Sequence, residues 1–377
     1  MEKAKISVFQ LFVLMFTYQL GTALVIPYGI NAKKDAWLAD LLGMCGGIVL
    51  FCIHHFLFCQ YPNLPLTGYA RKIFGKYLGW IIGLLYIVYF LYIAARNVRD
   101  FGDLIMTSTM PKTPLLAINI LLVLVVCYVL YLGIEVIGRT AEVFIVMLVL
   151  FGATGNFFVL ASGNIDIHNL QPFLENGWKP IVTTTFPETI NFPFGEAIVF
   201  TMLFPYLNQP ESLKKVWPSA LISSGLILSY TIGLDIAVLG FEEVERSTFP
   251  LLSTIGKVNL MEFIQRLDAI VVLTFLITIF FKVSILLYGV VIGIVDLFKL
   301  KNHQQILLPV GVILIFWSMA ISSNFSEHIE EGAISGRYSH ILFYMIVPVL
   351  MLLIAMIRNG FKKKTKDEKS KSESNST

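Results

Sequence analysis

An all-α integral membrane fold is what the sequence predicts: ten transmembrane helices in a five-plus-five inverted repeat, with helices 1 and 6 interrupted. Three observations point to it. Of 377 residues, 56% are hydrophobic and only 14% charged, with mean hydropathy +0.76, whereas a soluble chain carries about a quarter charged residues. Ten segments reach or approach the roughly 20 apolar residues needed to cross a bilayer. The first and sixth of them hold paired glycine and proline breaks, GTALVIP (21–27) and PFGE (193–196), in corresponding positions of two halves.

The first span, 7–30, follows Lys3 and Lys5 without a small-residue cleavage site, so it reads as a retained span rather than a signal peptide. The second is 37–58. Along it Cys45, Cys52 and Cys59 recur every seven residues and, with Cys127 in the fourth span, read as small packing residues rather than metal ligands. His54 and His55 at its inner end are expected at a solvated interface. Spans 78–99, 114–132 and 139–160 complete a first repeat of about 7–160. The second repeat, about 183–357, holds spans 183–206, 216–239, 269–298, 306–321 and 340–357. Asp235, near the outer end of the seventh span, is expected at the interface.

A long connection, YPNLPLTGYARKIFGKYLG (61–79), joins spans two and three, and GFEEVERSTFPLLSTIGKVNLMEFIQ (240–265) joins seven and eight. An inverted repeat sends this matched pair to opposite sides. A modest excess of Lys and Arg on the side of Lys3, Arg71, Lys72, Lys214 and Lys215 puts both termini in the cytoplasm. The permease-like domain covers 1–361, and the polar, low-complexity stretch 362–377 reads as a disordered cytoplasmic tail.

A broken helix leaves N–H groups free at one half and C=O groups free at the other, each a partial charge. At membrane depth such backbone is tolerated only around ligand, water or protein. Two matched breaks therefore make a mid-membrane site that suits a zwitterion. Its carboxylate would rest on N–H groups near Gly21, Thr22 and Ala23, and its ammonium near helix-six carbonyls or Glu196. Phe194, Gly195 and Ile198 belong to the same break. A carboxylate in lipid costs a few kcal/mol unless it is paired, hydrated or protonated, which makes Glu196 a functional candidate. Lys282, deep in the eighth span, raises the same problem. It is a candidate partner of Glu196 or a substitute for a coupling cation. Ser284 and Tyr288 share a helix face by i,i+4 spacing, with Phe281 just before them, and Tyr92 adds an aromatic from the third span.

The chain has no Walker loop, HExxH, GxSxG or Cys/His zinc spacing, so neither an enzyme nor a cofactor or metal is expected. The basic tail fits anionic lipid rather than nucleic acid. The residues alone leave three readings open: a ligand-sensing receptor subunit, a proton- or cation-coupled amino-acid transporter, and a ligand-gated water or ion channel.

Five stretches carry a more specific signal: 61–79, RNVRDFGDLIMTSTMPKTP (96–114), PFGE (193–196), FKVSILLYG (281–289) and YMIVPVLMLLI (344–354). In their order and spacing, over nearly the whole chain except the tail, it resembles the spore germination permease-like proteins. These are the membrane-embedded B subunits of nutrient germinant receptors, within the amino acid/polyamine/organocation transporter superfamily. The resemblance implies a five-plus-five fold in the spore inner membrane, a small nutrient such as an amino acid as ligand, and A-type and lipoprotein C-type subunits as partners.

Overall fold

The computed structural model describes residues 5–258 and 267–358. The expected tail, 362–377, and the end of the 240–265 connection lie outside the described residues. The helices in chain order are α1 (Val8–Leu20), α2 (Ala36–Gln60), α3 (Leu66–Phe74), α4 (Lys76–Ser108), α5 (Leu115–Leu132), α6 (Ile134–Ala161) and α7 (Trp178–Thr184). They are followed by α8 (Leu213–Leu239), α9 (Phe241–Arg246), α10 (Pro250–Gly256), α11 (Asp268–Phe298), α12 (Gln304–Ala320) and α13 (Phe325–Ser335). From α13 the chain winds on through wide turns at Gly336–Ile346 and ends its helical run at Arg358.

Among the described residues, seven helical runs are long and apolar enough to cross a membrane, and α1 and α12 are shorter apolar helices. With the interrupted stretch 178–206, sixth in chain order, these make ten passes, numbered from the N-terminus, the tenth being Phe325–Arg358. Local chemistry sets several boundaries. A capping box opens α1: Gln10 N–H donates to Ser7 Oγ (3.1 Å), and Ser7 N–H donates to Gln10 Oε1 (2.9 Å). Gly75, at φ 91°, turns the chain from α3 into α4, a conformation that a side chain would resist.

The two halves are inverted. Ile6 N–H donates to Tyr206 O (2.9 Å), and Asn208 N–H donates to Ile6 O (3.1 Å). The start of pass one therefore lies beside the end of pass six, and the two run antiparallel. Both long connections hold short helices, α3 in one and α9 with α10 in the other. Arg71 of α3 pairs with Asp296 at the end of α11 (2.5 Å), and Arg358 donates to Lys72 O (2.6 Å). Thus α3, the end of pass eight and the end of pass ten share a face.

Buried along most of its length, α11 packs on α4, α1 and α6, while α2 and α8 flank the first interruption. On α6, Val149, Leu150 and Phe157 are exposed, as expected of a helix solvated by lipid tails.

Several details differ from the sequence reading. The third span does not stop at residue 99, because α4 runs on to Ser108. Arg99 stays inside it by pairing with Asp103 (2.8 Å) and donating to Ser322 O (3.1 Å). Cys45, Cys52 and Cys59 are exposed rather than packed, and only Cys127 is buried. A seven-residue repeat fixes a shared face without saying which way it looks. His54 is buried and stacks on Trp217 (5.9 Å between ring centroids), not solvated. Asp235 is also buried, accepting from Thr254 Oγ1 (2.6 Å) to tie α8 to α10.

Candidate functional site between the two interruptions

The first break begins at Gly21, which closes α1 with φ 19° and ψ −127° and donates its N–H to Thr17 O (3.1 Å). A single tight turn, Thr22–Leu24, follows, and both Val25 and Ile26 donate back to Thr22 O (3.1 and 2.9 Å). The chain then passes Gly29, at φ 70°, into another tight turn at Ile30–Asp35. The sixth pass is irregular for longer. After α7 come the wide turns of Thr185–Phe194, with Phe186 (φ −115°, ψ 115°) and Phe192 (φ −122°, ψ 122°) extended. From Gly195 to Met202 the winding tightens to a 3-10 helix. PFGE therefore marks the change from loose to tight winding.

Side chains take over the hydrogen bonding that the broken helices give up. Glu188 Oε1 accepts Gly29 N–H (2.8 Å) and Oε2 accepts Asn31 Nδ2 (3.1 Å), clasping one break to the other. Thr189 Oγ1 donates to Ala39 O (2.8 Å), pinning the sixth pass to α2.

Between the breaks lies a cavity of about 330 Å³. Thr22 and Tyr28 line it from pass one, Arg96, Asn97 and Asp100 from α4, Glu188, Phe192 and Glu196 from pass six, and Ile329, Ala333, Arg337 and His340 from pass ten. It opens where Asn31, Ala333 and Arg337 are exposed. At its floor Lys282 Nζ stands 2.6 Å from Glu196 Oε2, the two residues being 0% and 3% exposed. The ammonium also donates to Thr22 Oγ1 (3.3 Å) and lies 5.3 Å and 5.0 Å from the Tyr18 and Phe192 ring centroids, within cation–π range. Tyr18 OH donates to Glu196 O (3.2 Å), and Thr22 Oγ1 reaches Asn97 Oδ1 (3.4 Å). Passes one, three, six and eight meet at this one polar knot. Below it Tyr18 meets Phe200 edge-on (5.2 Å).

Of the residues singled out from the sequence, Thr22 and Glu196 stand in the cavity wall and Lys282 directly behind it. Gly21 sits where a Cβ would collide with Lys282 Cδ and come within 2.9 Å of Tyr18 O, so its bareness makes room for the lysine stem. Gly195 similarly leaves room for Tyr344, whose Cδ2 would be 3.0 Å from a Cβ. Ala23 lines a separate hollow of about 20 Å³. Phe194 is buried against Gly47 of α2, and Ile198 lies in the core. Tyr92 turns toward Trp317 (6.1 Å) and the Arg96 guanidinium (6.0 Å). Phe281 packs edge-on to Phe144 (6.0 Å) and Tyr288 to Tyr206 (6.0 Å), while Ser284 is fully buried. None of these last six is in the cavity wall.

The wall instead brings in Arg96, Asp100, Glu188, Arg337 and His340. Asp100 Oδ1 and His328 Nε2 are 2.7 Å apart, and Arg96 Nη2 donates to His328 O (2.9 Å), so α4 holds α13. Their sequence signal was a charge or imidazole beside an apolar span, hidden because 96–100 looked like a helix end.

Comparison with known proteins agrees with this architecture. The chain is 41% identical over 372 residues to spore germination protein KB of Bacillus subtilis (strain 168), covering 98% of this chain and all of that one. It is 25% identical over 365 residues to spore germination protein YndE of the same organism, covering 94% and 97%. Among solved structures it is similar to MhsT in complex with L-phenylalanine, with a TM-score of 0.61 and 14% identity, covering 92% of this chain and 97% of that one; at that identity the likeness concerns the fold. Residues 5–326 match the family profile described as spore germination protein, and the chain belongs to the spore germination protein family.

Proposed function

We propose that this chain is the nutrient-binding membrane subunit of a germinant receptor, taking a small amino acid between its two interrupted passes and triggering spore germination. One observation carries the reading: a cavity of about 330 Å³ lies between both breaks and is lined by groups of both charges, Arg96 and Arg337 against Glu188 and Glu196. A zwitterion finds an opposite charge at each end there, and the apolar remainder of the wall suits a small ligand. Its 41% identity to a spore germination protein and its likeness in fold to an L-phenylalanine-bound protein support the same reading.

In this account the chain sits in the spore inner membrane with both termini cytoplasmic, the cavity opens to the outer side, and A-type and lipoprotein C-type subunits relay the signal. Lys282 holds the floor together in place of a coupling cation. The test is genetic and biochemical together. Spores lacking the chain lose their response to one amino acid and regain it on complementation, and the chain co-purifies with a larger membrane subunit and a lipoprotein. Active uptake of that amino acid by the chain reconstituted alone would make it a transporter instead.

A further inference from the structure

The floor of the cavity is electrically closed, since Glu196 has Lys282. Its upper wall is not. Arg96 Nη2 is taken by His328 O, but Nη1 is buried and has no hydrogen-bond partner among the described residues. His340, only 8% exposed, leaves Nε2 without a partner in the same way. These side chains come from α4 and from the wide turns after α13, and both line the one cavity. Buried polar groups are rarely left unpaired, and such groups ask for a ligand or water. Asp100, one turn along α4, is already engaged by His328.

The first interruption offers less. Gly21 N–H is spent on Thr17 O, and neither Gly21 nor Ala23 reaches the wall. We infer that a bound amino acid places its carboxylate on Arg96 Nη1 and His340 Nε2–H, at the junction of α4 with pass ten, and not on the backbone of the first break. The inference rests on reading the cavity as the nutrient site. A guanidinium bond to a carboxylate is charge-assisted. A ligand without the carboxylate leaves both donors buried and unpaired, which is how a hydrogen-bonding site rejects an analogue. The ammonium end then faces Glu188, which accepts from Gly29 N–H and Asn31 Nδ2 and has no cationic partner among the described residues.

The test uses the full-length chain in lipid nanodiscs, titrated first with the common L-amino acids and then with the carboxamide of the tightest binder. In the unaltered protein the carboxamide is expected to bind roughly 10–100-fold more weakly, the range that losing a charge-assisted bond gives. In Arg96→Gln the acid and the amide should bind alike. Arg96→Lys should keep part of the preference, and His340→Gln should reduce it even if Arg96→Gln does not fold. Equal binding of acid and amide by the unaltered chain overturns the carboxylate subsite, as does a preference unchanged in Arg96→Gln and His340→Gln. Either result leaves the nutrient cavity standing, whereas failure of every amino acid to bind overturns both.

Discussion

Lys282 Nζ lies 2.6 Å from Glu196 Oε2, fully enclosed between the Tyr18 and Phe192 rings. Pass eight is thereby fastened to the sixth-pass break by one ion pair under the cavity floor. Removing one partner of a buried pair strands the other charge and costs about 3–5 kcal/mol, whereas replacing both can be nearly neutral. Lys282→Met alone should therefore lower the unfolding free energy of the purified chain by that amount, and adding Glu196→Gln should restore most of the loss. Denaturant unfolding of the two singles and the double measures this, and simple additivity would sink the idea.

Gly21 is coupled to the same pair. A Cβ there meets the Lys282 stem and Tyr18 O, so Gly21→Ala should cost about 1–3 kcal/mol as an overpacking change. The cost should shrink in a Lys282→Ala background, because the stem is gone while Tyr18 O remains. A penalty identical in both backgrounds would place the strain elsewhere.

Glu188 clasps the breaks from above the cavity. Glu188→Ala leaves Gly29 N–H and Asn31 Nδ2 without their acceptor, a loss of about 1.5–3 kcal/mol for bonds to a charged group. Hydrogen exchange of the 25–31 backbone should quicken in Glu188→Ala and much less in Glu188→Gln, which keeps an acceptor oxygen. Unchanged protection in Glu188→Ala would mean that the clasp does not hold the break.

The breaks were legible because glycine and proline interrupt a helix wherever they fall, and their matched positions exposed the inverted repeat. Glu196 and Lys282 were legible as costs, since a charge inside an apolar span demands an explanation. That the two touch was not, because nothing local records which residues of distant helices face each other. Phe281, Ser284 and Tyr288 lie outside the cavity wall, and the sequence could not show this for a related reason. Helix α11 is buried on nearly every side, so its sequence has no polar face to show which stripe looks into the cavity. Arg96 and His340 were not legible as wall residues, because in the sequence a charge and an imidazole there read as span ends, whereas α4 and the helical run from α13 both extend past them.

The central claim is that nutrient binds in the cavity between the two interruptions, and blocking that cavity tests it most directly. Ala333 is exposed on α13 and forms part of the wall, so Ala333→Trp adds bulk to the cavity without disturbing the core. Tyr338, also exposed and outside the wall, supplies a control as Tyr338→Trp. The measurement is germination against amino-acid concentration in spores carrying each variant, with abundance followed by immunoblot. Ala333→Trp should raise the concentration needed by about tenfold or more, equivalent to roughly 1.4 kcal/mol of binding, while Tyr338→Trp follows the unaltered curve. An Ala333→Trp curve that superimposes on the unaltered one at normal abundance would contradict the claim.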